Sequence, residues 1–178
     1  MRLIARQQPE LSGSEVEARA EHLRAVSLFT EIAANPTALL EFASIMEERV
    51  FKPHVNMITE GEGSDEMFIL ISGTASVFKT TPEGEPFRVA ILKEGAHAFF
   101  GEGGLIYAER RSATITSDTE CHCLVLSRVA FEKFGDEHPE WALPFYRRIS
   151  ASVLTRLRKS NEDMMLLYKA LVSEIRGH

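Results

Sequence analysis

The sequence predicts an α+β protein in which a jelly-roll-like β-roll is flanked by N-terminal helices and a long C-terminal helix. Between Val50 and Leu126, short apolar runs alternate with Gly, Pro, Asp and Ser, a pattern typical of β-sandwiches and barrels. Apolar residues recur at helical spacing before this region and again after Ser127. The expected order is therefore helix, β-roll, long helix.

The 178 residues, 44% of them hydrophobic, suit one domain with a sizeable core and one extra element. The chain divides into a loosely ordered N-terminal segment (1–24), a β-roll with flanking helices (25–138) and a C-terminal helix (139–178). The first segment is polar and is interrupted by Pro9. Within it we expect a short helix from Ser14 to Leu23.

The charge and the apolar pattern exclude several classes of partner. A net charge of −6 argues against general nucleic-acid binding, which needs an excess of Lys and Arg. We expect no membrane span and no secretion signal, and hence a cytoplasmic protein. The chain ends at His178 without room for a helix-turn-helix module, so we also expect no direct DNA binding.

The apolar pattern locates the individual elements. A helix begins at Pro36 and runs to about Glu48, because four apolar residues recur at helical period. These residues are Leu39, Leu40, Ala43 and Met46. The expected strands include MFILIS, TASVFKT, FRVAIL, ATIT and CHCLVL, and TTPEGEP is typical of a hairpin tip. A short helix around 129–134 and a long one after Pro139 follow.

The only two cysteines are Cys121 and Cys123. Their spacing excludes a disulfide framework and places both on one face of a strand, with His122 on the other. We expect buried, reduced thiols. A metal site would need more ligands than this segment supplies.

The last helix carries a heptad pattern sustained for more than three repeats, which favours a coiled coil. The a positions are Leu154, Asn161, Tyr168 and Ile175, and the d positions are Ser150, Leu157, Met164 and Leu171. A lone Asn at an a position is known to fix a parallel two-stranded register. We expect a parallel homodimer; the alternative is a helix packed on its own domain.

The segment GEGGLIYAERRSAT is chemically unusual, with three glycines within four residues. Such a loop brings backbone N–H groups close to a ligand, and a short helical turn after it favours an anion. Arg111 and the Ser112 hydroxyl suit a phosphate, and Glu102 suits sugar hydroxyls. On spacing alone this signal is weak, because glycine-rich loops are common and an exposed Glu–Arg pair is usually a surface salt bridge.

From about Leu28 to Asn161 the sequence resembles the cyclic-nucleotide-binding domains of catabolite activator proteins, protein kinase A regulatory subunits and cyclic-nucleotide-gated channels. The matching segments occur in the family's order: LFTEI, ITEGEGSDEMFILISGTASVF, FGEGGLIYAERRSAT, LVLSRVAFEKF and HPEW. The third of these has the form of the family's phosphate-binding cassette. The resemblance implies a β-roll that binds a cyclic nucleotide without catalysing a reaction.

By this resemblance, Glu102 accepts a hydrogen bond from the ribose 2′-hydroxyl and Arg111 pairs with the cyclic phosphate. Gly101 shapes the turn, and backbone groups near Gly103, Gly104 and Ala113, with the Ser112 hydroxyl, complete the site. The family's C-terminal helix also caps the base. The polar residues at that height are Thr155, Arg156, Ser160 and Asn161, of which Ser160 and Asn161 are the candidate base contacts.

Three departures from the family pattern bear on affinity. His54 stands where a Gly is common, the approach GAHAFFGE is slightly longer than usual, and Gly103 replaces a frequent Leu. None of them removes a ligand-binding group.

The expected function is a cyclic-nucleotide sensor, with cAMP favoured over cGMP because Ser112 lies where cyclic-GMP binders often have Thr. The sensor signals through its C-terminal helix to an unknown protein partner, and needs no cofactor beyond its ligand. Two alternatives stand: a ligand-free dimerisation or scaffold module of the same fold, and a nucleotide hydrolase. The absence of a nucleophile–base pair or metal cluster in the cassette argues against an enzyme.

Overall fold

The structure, a computed structural model, describes residues 12–107 and 110–176. The strands are β1 Glu47–Phe51, β2 Asn56–Ile58, β3 Glu66–Ser72, β4 Thr74–Thr80, β5 Pro86–Lys93, β6 Phe99–Phe100, β7 Thr114–Ser117 and β8 Cys121–Ser127. The helices are α1 Gly13–Ala25, α2 Pro36–Ser44, α3 Glu102–Ile106, α4 Arg128–Glu137 and α5 Pro139–Arg176, with a 3-10 turn at Ser27–Phe29. The predicted β-roll between N-terminal helices and a long C-terminal helix is confirmed.

The strands form two antiparallel sheets, in the orders β1-β8-β3-β6 and β2-β7-β4-β5. Successive side chains of a strand point to opposite faces. On β3, Met67 and Ile69 therefore pack into the core shared with the helices, while Phe68 and Leu70 pack between the two sheets. The first sheet thus separates a helical core from the interior of the roll.

An aromatic cluster attaches α5 to the rest of the helical core. The ring of Phe145 lies 5.0–5.1 Å, centroid to centroid, from those of Phe29, Phe42 and Phe131. These three rings come from the 3-10 turn, α2 and α4. Beyond Ile149, which is buried, the side chains of α5 are mostly exposed. Only the first part of this helix belongs to the core.

The N-terminal helix α1 begins with a side-chain cap. Glu15 N–H donates to the Ser12 hydroxyl and Ser12 N–H donates to the Glu15 carboxylate, a reciprocal cap that fixes the start of α1. Leu23 is fully buried. The helix expected from Ser14 to Leu23 is present as part of α1. Residues 1–11 lie outside the described residues.

Most strand predictions are confirmed, and one helix boundary is wrong. The five apolar runs form β3, β4, β5, β7 and β8, with TTPEGEP at the β4–β5 hairpin. α2 begins at Pro36 as predicted but ends at Ser44. The helical period was expected to continue to Glu48, whereas pairing with β8 takes Glu47 into a strand. None of the helices described here combines the length and apolarity needed to cross a bilayer.

The two cysteines occupy the face of β8 that was predicted. Cys121 and Cys123 are both buried free thiols, and His122 lies half-buried on the opposite face. Burial raises the pKa of the Cys123 thiol to about 12. This thiol is therefore uncharged at neutral pH and has the properties of a small apolar side chain.

Candidate ligand-binding cavity

A cavity of about 490 Å³ lies between the second sheet, the segment around α3, and α5. All seven residues predicted to hold a ligand line it: Gly101, Glu102, Gly103, Gly104, Arg111, Ser112 and Ala113. Its remaining wall is largely apolar, with Ile58, Val77, Ala90, Leu92, Phe99, Phe100, Ile115 and Val153. Apolar walls with a few converging polar groups are typical of small-molecule sites.

Arg111 is the central cation of this cavity and is only 7% exposed. Its Nη1 donates to the carbonyl oxygen of Gly101 at 2.8 Å. Its Nη2 donates to the Ser64 hydroxyl at 2.6 Å and to the carbonyl oxygen of Glu66 at 2.5 Å. Its Nε is buried without a hydrogen-bond partner among the described residues. Neutral oxygens thus orient the two terminal nitrogens of the guanidinium, while Nε has no partner in the described part of the chain.

The environment of Arg111 affects its electrostatics in two opposing ways. Burial lowers the pKa of its guanidinium, and the nearby carboxylates of Glu66, Asp65 and Glu102 partly offset this effect. An arginine remains charged at neutral pH even so. The site therefore holds a desolvated cation, which favours an anionic ligand.

Two glycines are required because the guanidinium lies against their α-carbons. Gly101 has a φ of 76°, and a Cβ built on it would lie 2.8 Å from Arg111 Nη1. A Cβ on Gly104 would lie 2.5 Å from the Ser64 carbonyl oxygen and 2.9 Å from the same nitrogen. Gly103 differs, since its Cβ would meet nothing within 4 Å. The departure from the family at Gly103 leaves the Arg111 pocket intact.

Glu102 is the first residue of α3 and is only 8% exposed. Its Oε1 accepts a hydrogen bond from Nη1 of Arg156, on α5, at 2.5 Å. Arg156 also donates from Nη2 to the carbonyl oxygen of Phe99 at 3.3 Å, and its guanidinium lies 4.9 Å from the Phe99 ring centroid. A half-exposed arginine of the C-terminal helix therefore closes one side of the cavity.

The backbone of Arg111 is hydrogen-bonded to the loop that follows β2. Arg111 N–H donates to the carbonyl oxygen of Glu62 at 2.8 Å, and the Arg111 carbonyl accepts from Gly61 N–H at 2.9 Å. This pairing sets the register that turns the Arg111 side chain inward.

The residues of α5 and the residue before Arg111 differ in how they meet the cavity. Ser160 and Asn161, the candidate base contacts, are exposed and do not line the cavity in this structure. Val153 and Arg156 line it instead, because α5 leaves the roll before it reaches residue 160. Arg110 also borders the cavity, and its Nη1 donates to the Gly61 carbonyl oxygen at 3.1 Å.

Across residues 12–107 and 110–176, no group of three or more His, Cys, Asp and Glu side chains could hold a metal ion. The polar groups of the cavity are arginines, one carboxylate, a hydroxyl and main-chain atoms. This set can bind an anion and a hydroxyl-bearing group side by side.

The profile of the cyclic nucleotide-binding domain matches residues 48–138, which is just over half of the chain. The chain therefore belongs to the cyclic nucleotide-binding domain family. This is a family of ligand-binding regulatory domains.

Individual relatives agree with this assignment. The chain is 33% identical over 118 residues to a cyclic nucleotide-gated potassium channel of Rhizobium etli, covering 66% of this chain and 30% of the channel. It is 34% identical over 93 residues to a cAMP-dependent protein kinase regulatory subunit of Yarrowia lipolytica, covering 52% of this chain and 24% of that subunit. The chain thus spans less than a third of either relative.

A crystal structure of a cyclic nucleotide-binding domain from Methylobacillus flagellatus has the same fold. It superposes with a TM-score of 0.72 at 22% identity, covering 85% of this chain and 83% of that one.

Proposed function

We propose that this chain is a cyclic-nucleotide sensor in which Arg111 holds the cyclic phosphate and Glu102 holds the ribose 2′-hydroxyl. The observation that carries the proposal is that these two charged side chains are buried on the same cavity, 7% and 8% exposed. A cyclic mononucleotide supplies one anion and one hydroxyl in this arrangement.

The same features support a ligand-binding role over a scaffold module whose pocket has lost its ligand. Among the described residues, no carboxylate forms an ion pair with Arg111. Burying an arginine in this way costs folding free energy, and nothing in a scaffold requires it. Calorimetry with cyclic nucleotides separates the two functions, and product analysis after incubation with cAMP tests the hydrolase.

We propose cAMP as the preferred ligand. The wall opposite α5 is formed by Val77, Ala90 and Leu92, which offer no side-chain partner to a base. Guanine has one more exocyclic polar group than adenine, so its burial there leaves more groups unpaired. Ser112 supports the same choice, as does the relative from Yarrowia lipolytica, whose name describes a cAMP-dependent kinase subunit.

We propose that the C-terminal helix α5 transmits the binding signal. Arg156 pairs with Glu102 Oε1, and the ribose hydroxyl is proposed to bind the same carboxylate. Ligand and helix therefore compete for one acceptor, and binding releases or re-orders α5. The energetic link is the differential affinity of the ligand for the two positions of the helix.

The proposed assembly is a parallel homodimer through the exposed part of α5. Its a and d residues Leu154, Leu157, Met164, Tyr168, Leu171 and Ile175 are 53–67% exposed in the single chain. A second copy of the helix would cover this seam, with Asn161 facing its equivalent across the axis.

Titration calorimetry with cAMP and cGMP tests the site. Arg111→Ala is expected to weaken cAMP binding at least tenfold, because a charge-assisted contact to two phosphate oxygens contributes about 1.5–3 kcal/mol. Arg111→Lys should recover little, since a single ammonium cannot reproduce the fork. Glu102→Gln should cost less, because its amide oxygen still accepts.

Arg88→Ala serves as the matched control, since Arg88 lies exposed on β5 and does not line the cavity. The Arg88→Ala variant should bind cAMP with the affinity of the unchanged protein. The cAMP affinity of Arg110→Ala should lie between those of Arg111→Ala and Arg88→Ala, because Arg110 only borders the cavity. A protein that binds cAMP equally well with and without Arg111 would place the ligand elsewhere.

A further inference from the structure

A two-bond ion pair behind the cavity joins Arg49 on β1 to Glu66 at the start of β3. Arg49 Nη1 lies 2.8 Å from Glu66 Oε2, and Nη2 lies 2.8 Å from Oε1. The two strands are separated by β8, so the arginine reaches across a whole strand. The two side chains are 35% and 27% exposed. This geometry is more restrictive than that of an ordinary surface salt bridge.

The backbone of Glu66 faces the ligand site while its side chain faces Arg49. Its carbonyl oxygen is the 2.5 Å acceptor of Arg111 Nη2. β6 pairs only with Phe68 and Ile69, so the Glu66 carbonyl lies beyond the end of that ladder. The Arg111 guanidinium occupies the place of a strand partner there. The orientation of Arg111 therefore depends on where residue 66 lies.

A second contact path runs from the same ion pair to the other acceptor of Arg111. The guanidinium of Arg49 lies 5.8 Å from the Phe68 ring centroid. Phe68 stacks on Phe100, with 5.3 Å between centroids and an interplanar angle of 7°. Phe100 directly precedes Gly101, whose carbonyl oxygen accepts from Arg111 Nη1. Both paths connect Arg49 to a carbonyl that orients the phosphate-binding guanidinium.

We propose that Arg49 and Glu66 are positioning residues for ligand binding, acting by fixing the two carbonyl oxygens that hold Arg111. The inference rests on the proposed function in that Arg111 holds the phosphate. Neither residue lines the cavity, so their effect on affinity is indirect. The proposed ligand remains an anion bound by Arg111. The Arg49–Glu66 ion pair orients this arginine from outside the cavity.

The decisive variants are Glu66→Gln and Arg49→Gln, with Glu47→Gln as the matched control. Glu47 also lies near Arg49, at 3.6 Å, but its carbonyl does not hold Arg111. Glu66→Gln and Arg49→Gln are each expected to weaken cAMP binding about tenfold. The double variant should bind no more weakly than either single variant, because both remove one interaction. Glu47→Gln should stay within twofold.

A spectroscopic measurement without ligand separates positioning from general destabilisation. The Nε–H resonance of Arg111, assigned by its loss in Arg111→Lys, reports the guanidinium directly. It should shift or broaden in Glu66→Gln and Arg49→Gln and stay unchanged in Glu47→Gln. If both variants bind cAMP normally and leave this resonance in place, the proposal is overturned.

Two further outcomes also test the proposal. Should Glu66→Gln fail to fold, Arg49→Lys decides, because it keeps the charge but loses the second bond and should give an intermediate loss of affinity with a moved resonance. An unchanged affinity and resonance in Arg49→Lys would then overturn the proposal. If the unchanged protein binds no cyclic nucleotide, the proposed function fails, while the resonance of Arg111 still tests its positioning.

Discussion

The two parts of α5 share one helical period but differ in what covers their apolar side chains. In the first part Ala142, Phe145 and Ile149 are buried against the roll and its helices. In the second part Leu157 and Met164 are more than half exposed. A stripe of apolar residues therefore indicates that one face of a helix is buried against something. Only the tertiary structure shows whether the same chain buries it.

The largest effect of a substitution is expected in the first part of α5, which is buried against the domain. Phe145→Ala removes a ring that contacts three others, and should lower the free energy of unfolding by about 3–5 kcal/mol. Urea unfolding followed by circular dichroism measures it. Leu143→Ala on the same helix is the control, since Leu143 is 53% exposed and should change stability by less than about 0.5 kcal/mol. Equal effects at the two positions would remove the distinction between the parts of α5.

The second part should matter for assembly instead. Leu157→Asp places a charge at a d position and should raise the dimer dissociation constant at least about a hundredfold, because an unpaired charge would be buried. Sedimentation equilibrium measures this constant. Thr155→Asp adds the same charge at an outward b position and should leave the dimer intact. A chain truncated after Val153 should be monomeric.

A finding that the full-length protein is monomeric at micromolar concentration would contradict the proposed coiled-coil dimer. The exposed apolar face would then need another partner. The packed part of α5 would be unaffected by that result.

Asn161 tests the register of the same seam. Asn161→Leu removes a polar group from an a position and should tighten association, since burying an amide costs about 1–3 kcal/mol in proteins. The same change should weaken the preference for two parallel strands, so light scattering should detect larger or mixed assemblies. If the variant dimerises as the unchanged protein does, Asn161 does not lie at the dimer axis.

Alternating patterns predicted the strands because each face of a strand meets a different core. Met67 and Phe68 are consecutive yet belong to separate cores, and that alternation is visible in MFILIS. The short strands β1, β2 and β6 were not singled out. EERVF in β1 is largely charged, and its pairing with β8 comes from sequence positions far apart. Long-range pairing of this kind leaves no local pattern.

The cassette was located by its resemblance to a family, and its geometry explains part of that pattern. Gly101 and Gly104 leave the space that the Arg111 guanidinium fills. The role of Arg156 could not be assigned from sequence, because a helical period does not say how far a helix runs against its domain. Arg156 was one of four polar candidates, and only the departure of α5 from the roll separates it from Ser160.

The smallest effect is expected at Arg156, where the exposed part of α5 contacts the cavity. Arg156→Ala removes the ion pair with Glu102, which is half-exposed on the arginine side and contributes no more than about 1 kcal/mol after screening. Because the ribose is proposed to compete with Arg156 for the Glu102 carboxylate, the variant should bind cAMP about threefold to fivefold more tightly. Hydrogen exchange at 154–160 should also rise in the ligand-free protein.

The 2′-deoxy analogue of cAMP isolates the cause of this gain. It lacks the hydroxyl that is proposed to bind Glu102, so Arg156→Ala should leave its affinity nearly unchanged. Arg156→Lys should lie between the two proteins, since it keeps a charge near Glu102 but cannot also reach the Phe99 carbonyl oxygen in the same geometry. Weaker cAMP binding in Arg156→Ala would show that the arginine supports the ligand instead of competing with it. Arg156 would then act as a closing contact, and α5 would move toward the roll on binding instead of away from it.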